Sequence, residues 1–182
     1  MDQYIIIVIP PKEIIAKVNK YKKKYAKYTK YNIPPHITIY PPFFSLLPSE
    51  ETLIEALIQS LKSKKPSRLN LQKVNFFEGR NNVIYFEPDN DSSKYLLDLV
   101  LWVSKSLRNK ARNVFKDYNF SPDKFKPHMT IAERIPKNIF VNIRKDLQNI
   151  KVNFSFLIDS VYLYRLDNSA RVWINISEIR FN

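Results

Sequence analysis

The feature that most constrains this chain is a short segment that occurs twice. Pro35-His36-Ile37-Thr38-Ile39 returns about half the chain later as Pro127-His128-Met129-Thr130-Ile131. The two copies use both histidines of the 182 residues and two of the four threonines. Polar residues at i and i+2 alternate with apolar residues at i+1 and i+3, the period of a strand buried on one face. His36 and Thr38 then project to one side and Ile37 and Ile39 to the other. His128 and Thr130 stand in the same way against Met129 and Ile131. The residue before each proline is biased toward extended backbone, which favours a strand at both places. A fold that uses the repeat must therefore supply two equivalent strands.

The remaining pattern reads as α+β. The run Tyr4 to Ile9 is a buried strand, closed by Pro10 and Pro11. Ile14, Ile15, Val18, Tyr21 and Tyr25 share one side of a helix expected over 12–28. "HITIY" is a short strand and "PPFFSLLP" a proline-punctuated loop. Ser49 caps a helix through "LIEALIQSL". "LNLQKVNFF" and "VIYFEP" are strands of a hairpin turning at Gly79, the only glycine. A third helix is expected over 92–112 and a short one over 137–148. "FSFLIDSVYLYRL" and "ARVWINISEI" are the last two strands, joined by a turn at 167–169. There is no regular βαβ alternation, so the sheets should be largely antiparallel, within one domain of two lobes over 1–182.

Composition removes several classes. With one glycine, neither a P-loop nor a dinucleotide fingerprint can be written. With no cysteine there is no disulfide, thiolate nucleophile or cysteine zinc site, which fits a reducing, cytoplasmic setting. The apolar run Ile5 to Ile9 lacks a basic flank and is too short for a bilayer, so it reads as strand rather than signal. No membrane association is expected. A net charge of +13 favours a polyanionic partner, with RNA or DNA ahead of an acidic membrane surface. The basic run over 20–30, with Lys22, Lys23, Lys24 and Lys27, is equally well explained as a solvated helix face.

If the two repeat strands flank one groove, two imidazoles and two hydroxyls converge. Imidazoles near neutral pH supply an acid and a base. Hydroxyls can hold non-bridging phosphate oxygens where charge develops. That set suits phosphodiester chemistry with no cofactor. A metal site is the weaker alternative, because two histidines fall short of a ligand set and neither motif holds an acidic or sulfur ligand.

On these two His-x-Thr motifs the sequence resembles the 2H phosphoesterase superfamily, which includes RNA 2',5'-ligase-like proteins and cyclic nucleotide phosphodiesterases; small bacterial single-domain members are the nearest in layout. The resemblance implies a bilobal fold, two pseudo-symmetric antiparallel sheets flanked by helices around a central groove. It implies His36 and His128 as general acid and base, with Thr38 and Thr130 on the phosphate. Substrates would be 2',3'-cyclic phosphates or 2',5'-phosphodiesters of RNA termini or small nucleotides, handled by a monomer without metal or protein partner. Many ligase-like members carry an arginine five residues after the second motif histidine. Here Glu133 holds that place and Arg134 follows; strand alternation would give Arg134 the face of His128 and Thr130. Tyr40 shares the parity of His36 and is a candidate base-stacking surface, as is Tyr164, with Arg165 beside it. Phe43 and Phe44 fit core packing better. A non-catalytic RNA- or nucleotide-binding module using the same groove is the alternative function.

Overall fold

The computed structural model describes residues 1–28, 33–79, 81–114 and 121–182. The end of the basic run (29–30), one position of the hairpin turn (80) and part of the loop before the second motif (115–120) lie outside the described residues. In chain order the elements are β1 (Gln3–Val8), α1 (Lys12–Lys24), β2 (Ile37–Ser45), α2 (Glu50–Leu61), β3 (Ser67–Phe77), β4 (Asn82–Pro88), α3 (Asn90–Ser106), β5 (Ala111–Asn113), β6 (Met129–Ile135), α4 (Lys137–Leu147), β7 (Lys151–Ile158), β8 (Ser160–Asp167) and β9 (Val172–Arg180). Short 3-10 turns occupy Ala26–Tyr28 and Pro122–Lys124.

The strands pair antiparallel in the order β7-β3-β4-β6-β2-β1-β8-β9, with β5 beside β2. Two four-strand halves, β7-β3-β4-β6 and β2-β1-β8-β9, meet where Ile37 of β2 pairs with Met129 of β6. The seam of the fold therefore runs through the middle of the two repeats. Only Asp159 separates β7, on one outer edge, from β8, near the other. Consecutive Cα atoms lie ~3.8 Å apart, so the sheet must curl until these strands meet end to end.

One face of the sheet holds the main core. Ile6, Val8, Ile37, Ile39, Ile84, Phe86, Met129 and Ile131 are buried there with Ile14 and Val18 of α1, Leu53, Leu57 and Leu61 of α2, Leu96 and Val100 of α3 and Phe140 of α4. Each such side chain contributes about 1.5–3 kcal/mol by leaving water. A smaller cluster, Ile5, Ile7, Ile33 and Tyr164, packs on the opposite face of β1 and β8. Helix starts follow local chemistry. Ser49 and Asp89 accept the backbone N–H of Thr52 and Ser92, while α1 and α4 start directly after Pro11 and Pro136.

The structure corrects four element boundaries. "PPFFS" continues β2 rather than forming a loop, because β1 and β5 pair with it on either side. The third helix stops at Ser106, and Ala111–Asn113 turns into β5. "FSFLIDSVYLYRL" is two strands broken at Asp159, one for each half of the sheet. The first helix closes at Lys24 and continues only as the 3-10 turn Ala26–Tyr28. Among the described residues no helix is long and apolar enough to cross a membrane.

Candidate active site

The pairing of Ile37 with Met129 sets the geometry. Both residues are fully buried in the main core, so their chain neighbours point the other way. In an antiparallel pair the register continues as i+1 against j−1, which sets His36 beside Thr130 and Thr38 beside His128. All four polar side chains share one face, and each is half-buried. Cross-strand neighbours at such positions lie ~4.5–5.5 Å apart at Cβ. The two rings also interact electrostatically: charge on His128 acts on His36.

Both rings are held in the same way. His36 Nδ1–H donates to the carbonyl oxygen of Pro34 at 2.8 Å, and His128 Nδ1–H donates to that of Lys126, also at 2.8 Å. A carbonyl only accepts, so the proton stays on Nδ1 and the neutral ring keeps its Nε2 lone pair. The intervening Pro35 and Pro127 fix φ and hold the preceding residue extended, which positions that carbonyl under its ring. The prolines of the repeat thus set the tautomer as well as the strand.

Aromatic rings surround the second histidine. Phe77 and Tyr85 stack with centroids 4.2 Å apart and planes 27° apart. Their rings stand edge-on to His128, at 5.0 Å and 5.1 Å. Tyr85 pairs with Thr130 across β4 and β6, which places it on the same face. Burial pushes the Tyr85 hydroxyl up to about 12, so it remains a neutral donor. Burial likewise pushes the His128 imidazole below its ordinary value, with the Lys126 carbonyl opposing. His36 is pushed down to about 4, first by burial and then by the charges of Lys22 and His128, against the opposing pull of the Pro34 carbonyl.

The other wall comes from β1 and β8. Thr38 pairs with Ile7, and Ile7 with Tyr162, so a half-buried tyrosine lies in register with the motif threonine. Tyr164 pairs with Ile5 on this same face and is buried in the smaller cluster, where burial raises its hydroxyl. Arg165 bonds instead to Glu50 at 3.0 Å.

Two alternation arguments fail for one reason, a shifted register. Between Ile6 and Ile7 the β1–β2 pairing slips, so Tyr40 lies opposite Ile6 of the main core. Its ring meets Phe43 edge-on at 5.2 Å and packs against that core. Along β6 the pairing with β4 slips twice, and Ile131 and Ala132 are both buried in the main core. Arg134 then takes a left-handed conformation, φ 57°, and is exposed. A bulge adds one residue to one strand and reverses which side its successors face, so parity counted from His36 or His128 reaches neither residue. The half-buried Glu133 is the charged residue of this stretch that acts on Lys22 of α1. Phe43 is fully buried, as core packing requires. Sequence reading missed Phe77, Tyr85 and Tyr162; the alternation of Tyr85 against Ile84 and Phe86 was the available signal for one of them.

Among the described residues no group of three or more His, Cys, Asp or Glu could hold a metal ion. The profile of the 2'-5' RNA ligase superfamily matches residues 10–170. The chain belongs to this superfamily. Within it, a Shouchella clausii protein provisionally named a phosphoesterase is 29% identical over 92% of each chain. An Oceanobacillus iheyensis protein named in the same way is 31% identical, again over 92% of each. Among solved structures, E. coli LigT superposes with a TM-score of 0.68 over 100% of this chain and 98% of that one, at 12% identity. TT0787 of Thermus thermophilus gives 0.65 at 17% identity, over 98% of this chain and 97% of that one. These superpositions establish that the superfamily's fold is shared along the whole chain.

Proposed function

We propose that this chain is a metal-independent phosphoesterase that opens 2',3'-cyclic phosphates or 2',5'-phosphodiesters of RNA ends or small nucleotides. The observation that carries the reading is the single pairing of Ile37 with Met129, which gathers both His-x-Thr pairs on one face. Membership of the superfamily and the provisional naming of its relatives as phosphoesterases support it. LigT, which shares the fold, has been crystallised with 3'-AMP.

In the reaction, Thr38 and Thr130 hydrogen-bond the non-bridging phosphate oxygens. One imidazole takes a proton from water at Nε2 as the water oxygen bonds to phosphorus. The bond from phosphorus to the leaving ribose oxygen breaks, and the other imidazole gives that oxygen its proton from Nε2. The product is a phosphomonoester with a free ribose hydroxyl. His36 suits the base, since the charges of Lys22 and His128 add to burial in keeping it neutral. His128 suits the acid; an anionic phosphodiester beside it favours its protonated form. The half-buried Phe77 and Tyr162 offer apolar ring faces on the two walls for a nucleobase, a contact tolerant of base identity.

Turnover decides between this reading and a binding module. A panel of 2',3'-cyclic nucleotides and 2',5'-linked dinucleotides, assayed with chelator present, should be hydrolysed by wild type. His36→Ala and His128→Ala should each lose about 100-fold or more. Binding without turnover in wild type would instead favour the non-catalytic module, and an unchanged rate in either variant would remove the acid–base pair.

A further inference from the structure

The face that carries the motif side chains continues past β2. Thr38 pairs with Ile7, Ile7 with Tyr162 and Tyr162 with Glu178, so one row of that face runs from β2 through β1 and β8 to β9. Partners directly opposite in an antiparallel ladder share a face. The next row holds Ile5, Tyr164 and Asn175, and the row after it Leu166 and Trp173. Ile5, Ile7, Ile33 and Tyr164 are buried as one cluster, and the half-buried Tyr162 and Trp173 pack against it. An apolar strip therefore leads from the motif threonine to Trp173, with a partly open ring near each end.

Trp173 stands on the outer strand of this half of the sheet. Edge strands are commonly blunted with charge, yet β9 begins with Trp173, an exposed Ile174 and an exposed Asn175. Glu178, opposite Tyr162, is engaged by Arg180 at 3.3 Å. Arg171 is exposed two residues before Trp173, and the chain carries a net charge of +13. Aromatic rings with cations beside them suit a polyanion that presents flat apolar faces, which is a single-stranded nucleic acid. Spacing sets its length. Trp173 lies three strand spacings from Thr38, ~14 Å across the sheet, and the four residues from Tyr162 to Leu166 add ~13 Å along it. Stacked nucleotides rise only ~3.4 Å apiece. A mononucleotide seated at Thr38 stops short of Trp173, whereas a strand of several nucleotides reaches it.

We propose that Trp173 is a stacking platform for the RNA strand attached to the reacting phosphate, which makes oligonucleotide ends, rather than free mononucleotides, the preferred substrate class. This rests on reading the groove as a phosphodiester site. It adds a residue of β9, distant from both motifs, to that site, and it predicts a preference set by chain length rather than by base identity, because every base has a face to stack.

The test compares two substrates of identical chemistry, adenosine 2',3'-cyclic monophosphate and a five-nucleotide RNA ending in a 2',3'-cyclic phosphate. Wild type, Trp173→Ala, Trp173→Phe and Trp102→Ala are assayed on both, with thermal unfolding as a check of folding. Binding of the same RNA with an open 3'-phosphate is followed by fluorescence anisotropy, which does not depend on turnover. Wild type should favour the RNA in kcat/KM by about tenfold or more. Trp173→Ala should lose that preference and bind the open RNA about tenfold more weakly. Trp173→Phe should retain most of both, and Trp102→Ala, which removes a tryptophan from α3 on the other side of the sheet, should match wild type. No preference for the RNA in wild type, or an unchanged preference in Trp173→Ala, would overturn the assignment. So would a wild-type dimer in sedimentation that Trp173→Ala dissolves, since the face would then belong to a second copy. Hydrolysis of the mononucleotide with no preference for RNA would remove the platform and leave the hydrolytic reading. RNA binding through Trp173 with no turnover of either substrate would leave the platform and remove hydrolysis.

Discussion

Acidification should destabilise this protein through His36, and the size of the effect can be worked out. The ring is pushed from 6.5 to about 4, chiefly by burial. Protonation is therefore disfavoured in the folded state, and between these two values the unfolded chain binds the extra proton. Stability from this group is fully present above pH 6.5, rises with pH across the window, and is lost as pH falls through it. At pH 4.5 the unfolded chain is almost fully protonated at this position while most of the folded rings are still neutral. The linkage relation then gives a loss of about 2–3 kcal/mol relative to pH 7.5. Carboxylates and His128 titrate as well, so the measurement is a difference. His36→Asn keeps an N–H that can face the Pro34 carbonyl and has no proton to gain. Urea unfolding of both proteins at pH 7.5 and pH 4.5 should show wild type losing about 2–3 kcal/mol more than the variant. Equal losses in the two proteins would refute the claim that the fold holds this imidazole neutral.

Other expectations follow from the same geometry. Thr38→Val and Thr130→Val keep strand packing but remove a donor to phosphate, and each should lower kcat on a cyclic phosphate by about 100-fold or more in steady-state assays. Phe77→Ala opens one aromatic wall of His128, so the NMR titration of that ring should move up toward the ordinary histidine range while the His36 titration stays in place. Leu57→Ala, in the middle of α2 and fully buried, should cost about 2–5 kcal/mol in urea unfolding without altering KM. EDTA should leave the turnover of wild type unchanged, and a loss restored by a divalent cation would contradict the paired-imidazole chemistry.

The sequence by itself determined which residues of each repeat share a face. Each His-x-Thr-Ile segment needs only the two-residue period of a strand to put its imidazole and hydroxyl on one side, and the structure keeps that order at both copies. Helices were legible for the same reason, since capping residues and apolar spacing are local. What alternation could not supply was anything beyond an interruption of the ladder. Tyr40 and Arg134 sit past register slips, and a slip is decided by what the neighbouring strand presents, as Ile6 does to Tyr40 and Ile84 to Ala132. The continuation of β2 through two prolines, the break at Asp159 and the strand Ala111–Asn113 depend likewise on partners distant in sequence. Tertiary structure alone decided that the two repeats touch, at Ile37 and Met129, and that Phe77 and Tyr85 close around His128. Backbone preferences act over a few residues, whereas the burial that sets the ionisation of each ring comes from side chains that only folding brings near.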